Sequence, residues 1–186
     1  MNLNEEKILI DKAKTDPYTF GILYDFYYKQ IFSYVFRRVG NYEIARDITS
    51  ETFLKAFIKI NSFKWQGISI SAWFYRIATN EINQFLRAKK YRPSYFHELF
   101  SSMPQLTNAS NEDTIKERIE QEEQQDQDFI HVQQQLKLLP VKYQEVITLK
   151  YFGNKSTNEI SVILSKKVGT IKSLLSRGLE KLKKLL

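Results

Sequence analysis

The sequence predicts an all-α protein: two small helical domains joined by a flexible acidic linker, the C-terminal one a helix-turn-helix. Three observations carry that prediction. Apolar residues recur at three- and four-residue steps through most of the chain, the period of a half-buried helix. Cap and stop residues punctuate these runs where helices need them. Charge is also divided into blocks: residues 1–90 carry 14 basic and 9 acidic side chains, residues 91–128 carry 3 and 9, and residues 129–186 carry 11 and 3. Two cationic blocks around an anionic one read as a domain over 1–92, a linker over 93–128 and a second domain over 129–186.

In the first domain, Asp16-Pro17 is a helix start, because Asp caps and Pro suits the first helical position. Phe20, Leu23, Tyr24, Tyr27, Ile31 and Val35 then form one apolar stripe, which reads as core. Gly40-Asn41 ends that helix and starts another, through Ile44, Ile48, Phe53, Leu54, Phe57 and Ile58. Residues 61–71 mix Asn, Ser and Gly with Phe63 and Trp65 and read as a loop. Helical spacing returns from Ala72 to Lys90. There Trp73, Tyr75 and Phe85 alternate with Arg76, Asn80 and Arg87, a mixture of flat rings for base stacking and cations for phosphates. An ordinary amphipathic helix with a basic end has the same residue types.

Pro93 ends the regular pattern, and the segment from 101 to 114 is polar without periodicity. Residues 115–128 are rich in Glu and Gln and suit an extension of the helix that leads into the last domain. That domain shows helical spacing from Leu136 through Tyr151 to Gly153. Ser156 and Glu159 then form a capping box, in which each satisfies the other's end of the first helical turn. A short helix to Leu164, a turn over Ser165–Lys167 and a helix from about Val168 to Leu185 complete a helix-turn-helix pattern. Thr170, Lys172, Ser173, Ser176 and Arg177 give the last helix a polar side suited to base edges or phosphates.

The net charge of +7 favours a polyanionic partner, since neutralising phosphates releases condensed counterions. The absence of cysteine excludes disulfides and thiolate metal sites. His97 and His131 are the only histidines, and no phosphate-binding loop, dinucleotide fingerprint or hydrolase motif is present. No catalytic residue, metal or cofactor is therefore expected. No apolar run reaches the length of a bilayer span, and the start lacks the order of a secretory signal, so a cytoplasmic location without membrane insertion is expected. On these residues alone, a stand-alone helix-turn-helix regulator and a nucleic-acid enzyme using Asp47 and Glu51 with a divalent ion both stay open.

Three runs in one order narrow the choice. They are Ala45-Arg46-Asp47-Ile48-Thr49-Ser50-Glu51-Thr52-Phe53-Leu54-Lys55-Ala56-Phe57, then Trp73-Phe74-Tyr75-Arg76-Ile77-Ala78-Thr79-Asn80 with Leu86-Arg87, and finally Leu139-Pro140, Glu145-Val146-Ile147, Glu159-Ile160 and Val168 to Ser173. Together they resemble the extracytoplasmic-function group of bacterial RNA polymerase sigma factors along nearly the whole chain. Departures from the family pattern fall at Ser50, Gln84, Gln144, Ser165, Lys167 and Leu174.

The resemblance implies a subunit that binds core RNA polymerase, at the clamp helices of the largest subunit and at the flap, and directs promoter DNA recognition and melting. It implies core contacts through Asp47, Thr49, Glu51, Phe53 and Lys55. The minus-ten element would meet Lys64, Trp65, Trp73, Tyr75, Arg76, Asn80 and Arg87. The minus-thirty-five element would meet Lys166, Lys167, Thr170, Lys172, Ser173, Ser176 and Arg177. An anti-sigma factor is a further partner usual in the family, and self-masking by the acidic linker is a second means of restraint.

Overall fold

The computed structural model describes residues 1–91 and 127–186, and all regular structure among them is helical. All but the last two positions of the expected linker, His97 included, lie outside the described residues. Among the described residues, each half contributes four α-helices, and the two sets pack on one another.

The first helix, α1 (Leu3–Ala13), precedes the first helix that the sequence predicts. It begins with a capping box in which the Asn2 side chain accepts from the Asn4 and Glu5 amides and Glu5 accepts from the Asn2 amide. Helix α2 (Pro17–Val39) begins as expected at Asp16, whose carboxylate accepts from the Tyr18 amide at 3.0 Å and the Thr19 hydroxyl at 2.6 Å. These bonds favour the anion and lower its pKa. Gly40 closes α2 at φ 69°, a left-handed conformation that suits glycine. Asn41 then caps α3 (Tyr42–Lys59).

A 3-10 turn (Ile60–Ser62) and a loop lead to α4 (Ser71–Tyr91), one residue before the expected start. Helices α2, α3 and α4 enclose Leu23, Ile31, Val35, Ala56, Phe74 and Ile82, all at most 2% exposed. Aromatic contacts tie this bundle together, with Phe53 edge-on to Tyr24 at 4.9 Å and tilted against Phe74 at 5.1 Å.

In the second half, α5 (Gln127–Leu138) stops before Pro140 and α6 (Val141–Ile147) starts after it. The buried Gln144 donates to the Lys137 and Leu139 carbonyls, closing the C-terminal end of α5. The expected single run to Gly153 widens into a π-helical turn (Thr148–Phe152), where the Gly153 amide reaches back to the Thr148 carbonyl. Helix α7 (Thr157–Leu164) carries the expected capping box of Ser156 and Glu159. Ser165 turns the chain in the left-handed conformation at φ 52°, and α8 (Val168–Lys183) follows.

Helix α8 buries Ile171, Leu175, Gly178 and Leu182. A Cβ at Gly178 would meet Ile147 Cδ1 at 3.1 Å and the Tyr143 side chain at 3.3 Å. Gly178→Val is thus expected to lower unfolding free energy by about 1–3 kcal/mol through overpacking. In Gly178→Ala, gained helix propensity offsets the tighter contact, leaving a change of under about 1 kcal/mol. Chemical denaturation of the two variants checks the ordering.

The halves are less separate than the charge blocks suggest. Helix α4 lies against α7, and α2 lies against the π-helical turn. Lys155 enters the first half as a 9% exposed side chain, donating to Ser71 Oγ at 2.8 Å with its ammonium 4.9 Å from the Tyr75 ring centre. Burial lowers its pKa, against the pull of Glu159 at 3.8 Å. Nearby, Asn83 donates to Glu145 Oε1 at 2.8 Å, and Arg37 stacks over Phe152 at 4.7 Å. The halves therefore meet through several side-chain contacts, and their buried residues join in one hydrophobic cluster.

Candidate polymerase and nucleic-acid interfaces

Three surfaces gather the residues singled out by sequence. The first is the exposed side of α3. Asp47, Leu54 and Ile58 face solvent and Glu51 is half-buried, so one stripe at helical spacing runs from acidic to apolar. Glu51 pairs with Lys55 at 3.1 Å, and Lys55 also bridges to Glu81 of α4 at 2.6 Å. The Glu81 hydrogen bond, ahead of the one to Glu51, raises the Lys55 pKa.

Thr49 and Phe53 lie on the opposite side, at 0% and 3% exposure. The Thr49 hydroxyl donates to the Ala45 carbonyl at 2.7 Å, which lets a polar residue occupy the core face. Leu54 and Ile58, apolar members of the helical run expected here, are 53% and 66% exposed.

The second surface joins the 63–70 loop to α4. A cavity of about 300 Å³ opens here, lined by Lys59, Phe63, Lys64, Gln66, Trp73 and Arg76 among others. Trp73 leans on Phe63 with ring centres 4.7 Å apart, giving the cavity an aromatic wall beside three cations. Beyond it, Arg76, Asn80 and Arg87 are exposed on one side of α4. Trp65 is half-buried on the loop but does not line the cavity.

Tyr75 sits elsewhere. It is 2% exposed, packed edge-on to Tyr34 at 5.0 Å and covered by Lys155, so its ring is closed to a base in this arrangement. Lys59 and Gln66 join the cavity without having been singled out. Lys59 ends α3 and Gln66 precedes a loop glycine, and neither position carries a pattern of its own.

The third surface is the outward side of the helix-turn-helix. Lys166, Lys167, Thr170, Lys172, Ser173, Ser176 and Arg177 are all exposed, on the turn and on the side of α8 opposite its buried residues. A short helix packed behind a longer one with an exposed cationic side matches the geometry of a major-groove reader.

Among the described residues, no group of three His, Cys, Asp or Glu side chains converges as a metal site would require. No helix among them is long and apolar enough to cross a membrane. Helical residues that frame a basic aromatic cavity beside α4, with Val162 of α7 also lining it, and a helix-turn-helix with an exposed cationic side have the features of a two-part nucleic-acid-binding protein.

The sigma-70 region 2 family matches residues 23–92, and the sigma-70 region 4 family matches residues 131–182. The ECF RNA polymerase sigma factor SigW of Bacillus subtilis is 32% identical over 185 residues, spanning 99% of this chain and 97% of that protein. The ECF RNA polymerase sigma-E factor of Escherichia coli is 28% identical over 94% of this chain and 91% of its own.

Among solved structures, CnrH in complex with the cytosolic domain of CnrY superposes with a TM-score of 0.67 at 19% identity, covering 97% of this chain and 96% of that one. The sigma factor RpoE of Bartonella quintana, solved with the anti-sigma factor NepR, gives 0.60 at 19% identity over 89% and 95%. These two likenesses establish the shared fold. The chain belongs to the extracytoplasmic-function sigma factors, and it is an RNA polymerase sigma factor of transcription initiation.

Proposed function

We propose that the three surfaces divide the work of initiation, with no covalent chemistry by this subunit. Residues 1–92 form the polymerase-docking and minus-ten domain, 93–128 the linker and 129–186 the minus-thirty-five domain. The α3 stripe of Asp47, Glu51, Leu54 and Ile58 docks on the polymerase clamp, its acids facing basic groups. Thr49 and Phe53 support that stripe from inside, and Lys55 holds Glu51 in place.

The observation that carries the reading is the cavity between Lys64, Trp73 and Arg76 at the head of the exposed Arg76, Asn80 and Arg87 series. Extracting a base costs a few kcal/mol, and stacking on an aromatic wall returns about 1–3 kcal/mol per base. Neighbouring cations hold the strand's phosphates. Binding energy alone thus shifts the duplex toward its open form. Tyr75 joins this surface only where Lys155 has withdrawn.

The polar side of α8 meets the minus-thirty-five duplex. Replacing Lys172 and Arg177 together with alanine is expected to weaken duplex binding and flatten the dependence of log affinity on log salt by about 2, since each neutralised phosphate contributes about 0.9. An unchanged slope would remove both from the contact set. We place the protein in the cytoplasm with its polymerase, and we extend to it an anti-sigma partner of the kind that Bartonella quintana RpoE has in NepR. Transcription in vitro with purified core polymerase tests the whole reading: promoter-specific transcripts that require this chain support it, and none at any salt concentration would end it.

A further inference from the structure

The most deeply buried carboxylate of the first half takes no part in the surfaces above. Glu6 of α1 is 2% exposed, and its Oε1 accepts three hydrogen bonds. The donors are the Tyr27 hydroxyl, Ser69 Oγ at 2.9 Å and the Ile70 amide at 3.1 Å. Two of the three belong to the last residues of the loop that walls the cavity, and Ser69 itself lines it. Ser69 Oγ lies 2.9 Å from Ser71 Oγ and accepts from the Ser71 amide at 3.1 Å, at the first turn of α4. One carboxylate thus fastens the loop end, the start of α4 and the body of α2.

A buried carboxylate is retained only where its hydrogen bonds outweigh desolvation, and here most of them fix loop backbone or a loop hydroxyl. Gly67, in the left-handed conformation at φ 75°, lies two residues before Ser69 and makes the loop readily deformable without an anchor. An apolar residue at position 6 keeps α1 helical but leaves the Tyr27 hydroxyl, the Ser69 hydroxyl and the Ile70 amide without this acceptor. What it would not do is hold residues 69 and 70 against the cavity.

From this geometry we infer that Glu6 is a positioning residue for promoter opening: its carboxylate locks the 63–70 loop so that the cavity beside Trp73 and Arg76 is formed before DNA arrives. Preorganisation of this kind removes the ordering cost from the binding step. The inference rests on the proposed role of the cavity and adds a residue distant from DNA.

The test uses the full chain and a single-stranded minus-ten oligonucleotide, with core-polymerase binding and minus-thirty-five duplex binding as parallel readouts. Glu6→Leu is expected to lose about tenfold in single-strand affinity. Core and duplex binding should stay within about twofold, since each interface lies apart from the loop anchor. Glu6→Gln keeps an acceptor oxygen at the same reach and should restore most of the affinity. Ser69→Ala removes one donor and should fall between the two, which preserves a reading if Glu6→Leu does not fold.

Single-strand affinity unchanged in Glu6→Leu and Ser69→Ala would overturn the inference. So would parallel loss of all three binding activities, which would assign Glu6 to general folding. Arg76→Ala separates this from failure of the cavity itself: if that variant binds the single strand normally, the proposed role of the cavity falls, and the inference with it.

Discussion

Reversing Asp47 and Glu51 to lysine is expected to abolish core-polymerase binding while leaving the fold in place. Truncating one partner of an interfacial charge pair costs about 2–5 kcal/mol, and reversal adds repulsion, so the double variant should lose at least about 100-fold in affinity. The fold has little to lose. Asp47 is exposed and Glu51 pairs only at the surface, where such pairs contribute about 0–1 kcal/mol. Lys55 keeps its 2.6 Å bond to Glu81. Pull-down or calorimetry against purified core enzyme, with thermal melting as control, checks both halves of this expectation. Full binding by a folded double variant would remove α3 as the docking face.

Stability should fall steeply above pH 10. Tyr27, Tyr34 and Tyr75 all have pKa values raised above the ordinary tyrosine value of 10.0, each chiefly by burial, with the Glu6 carboxylate adding to the effect at Tyr27. Above that value the unfolded chain releases three phenolic protons that the folded chain retains, so unfolding gains from every further rise in pH. One such group is worth about 1.4 kcal/mol per pH unit and three about 4 kcal/mol.

Lys155 works in the other direction. Its pKa is lowered, so folding releases its proton more readily and stability climbs with pH only until the unfolded value of 10.5 is passed. Urea midpoints measured from pH 9 to 12 should therefore show a sharp decline beginning near the ordinary tyrosine value. Tyr75→Phe should remove about a third of the slope. A slope unchanged in that variant would mean that the Tyr75 ring is accessible in solution.

The sequence was most legible where a signal is local. Asp16, Gly40, Asn41 and the Ser156–Glu159 box mark helix ends through bonds within a few residues, and each does so in the structure. Helix α1 was missed because its inward side carries Glu6 as well as Ile10 and Ala13, and a carboxylate on the core side breaks the apolar pattern. Helix α3 is legible as a helix, but which of its sides faces inward is not. Its threonines are buried through bonds to preceding carbonyls while Leu54, Phe57 and Ile58 face outward.

Periodicity presumes that apolar means inside, and a helix with Leu54, Phe57 and Ile58 on its outer side inverts that presumption. The contact between the halves left no trace at all in the pattern. Lys155 and Ser71 meet through tertiary packing, and nothing around either residue in the chain announces the other. That same contact is what takes Tyr75 from a candidate stacking ring to a covered one.

The cavity wall has a practical corollary. The chain contains two tryptophans, and they are Trp65 on the loop and Trp73 beside the opening. Indole emission from the unlabelled protein therefore originates wholly from this one neighbourhood. That emission is an intrinsic optical probe of whatever enters the cavity.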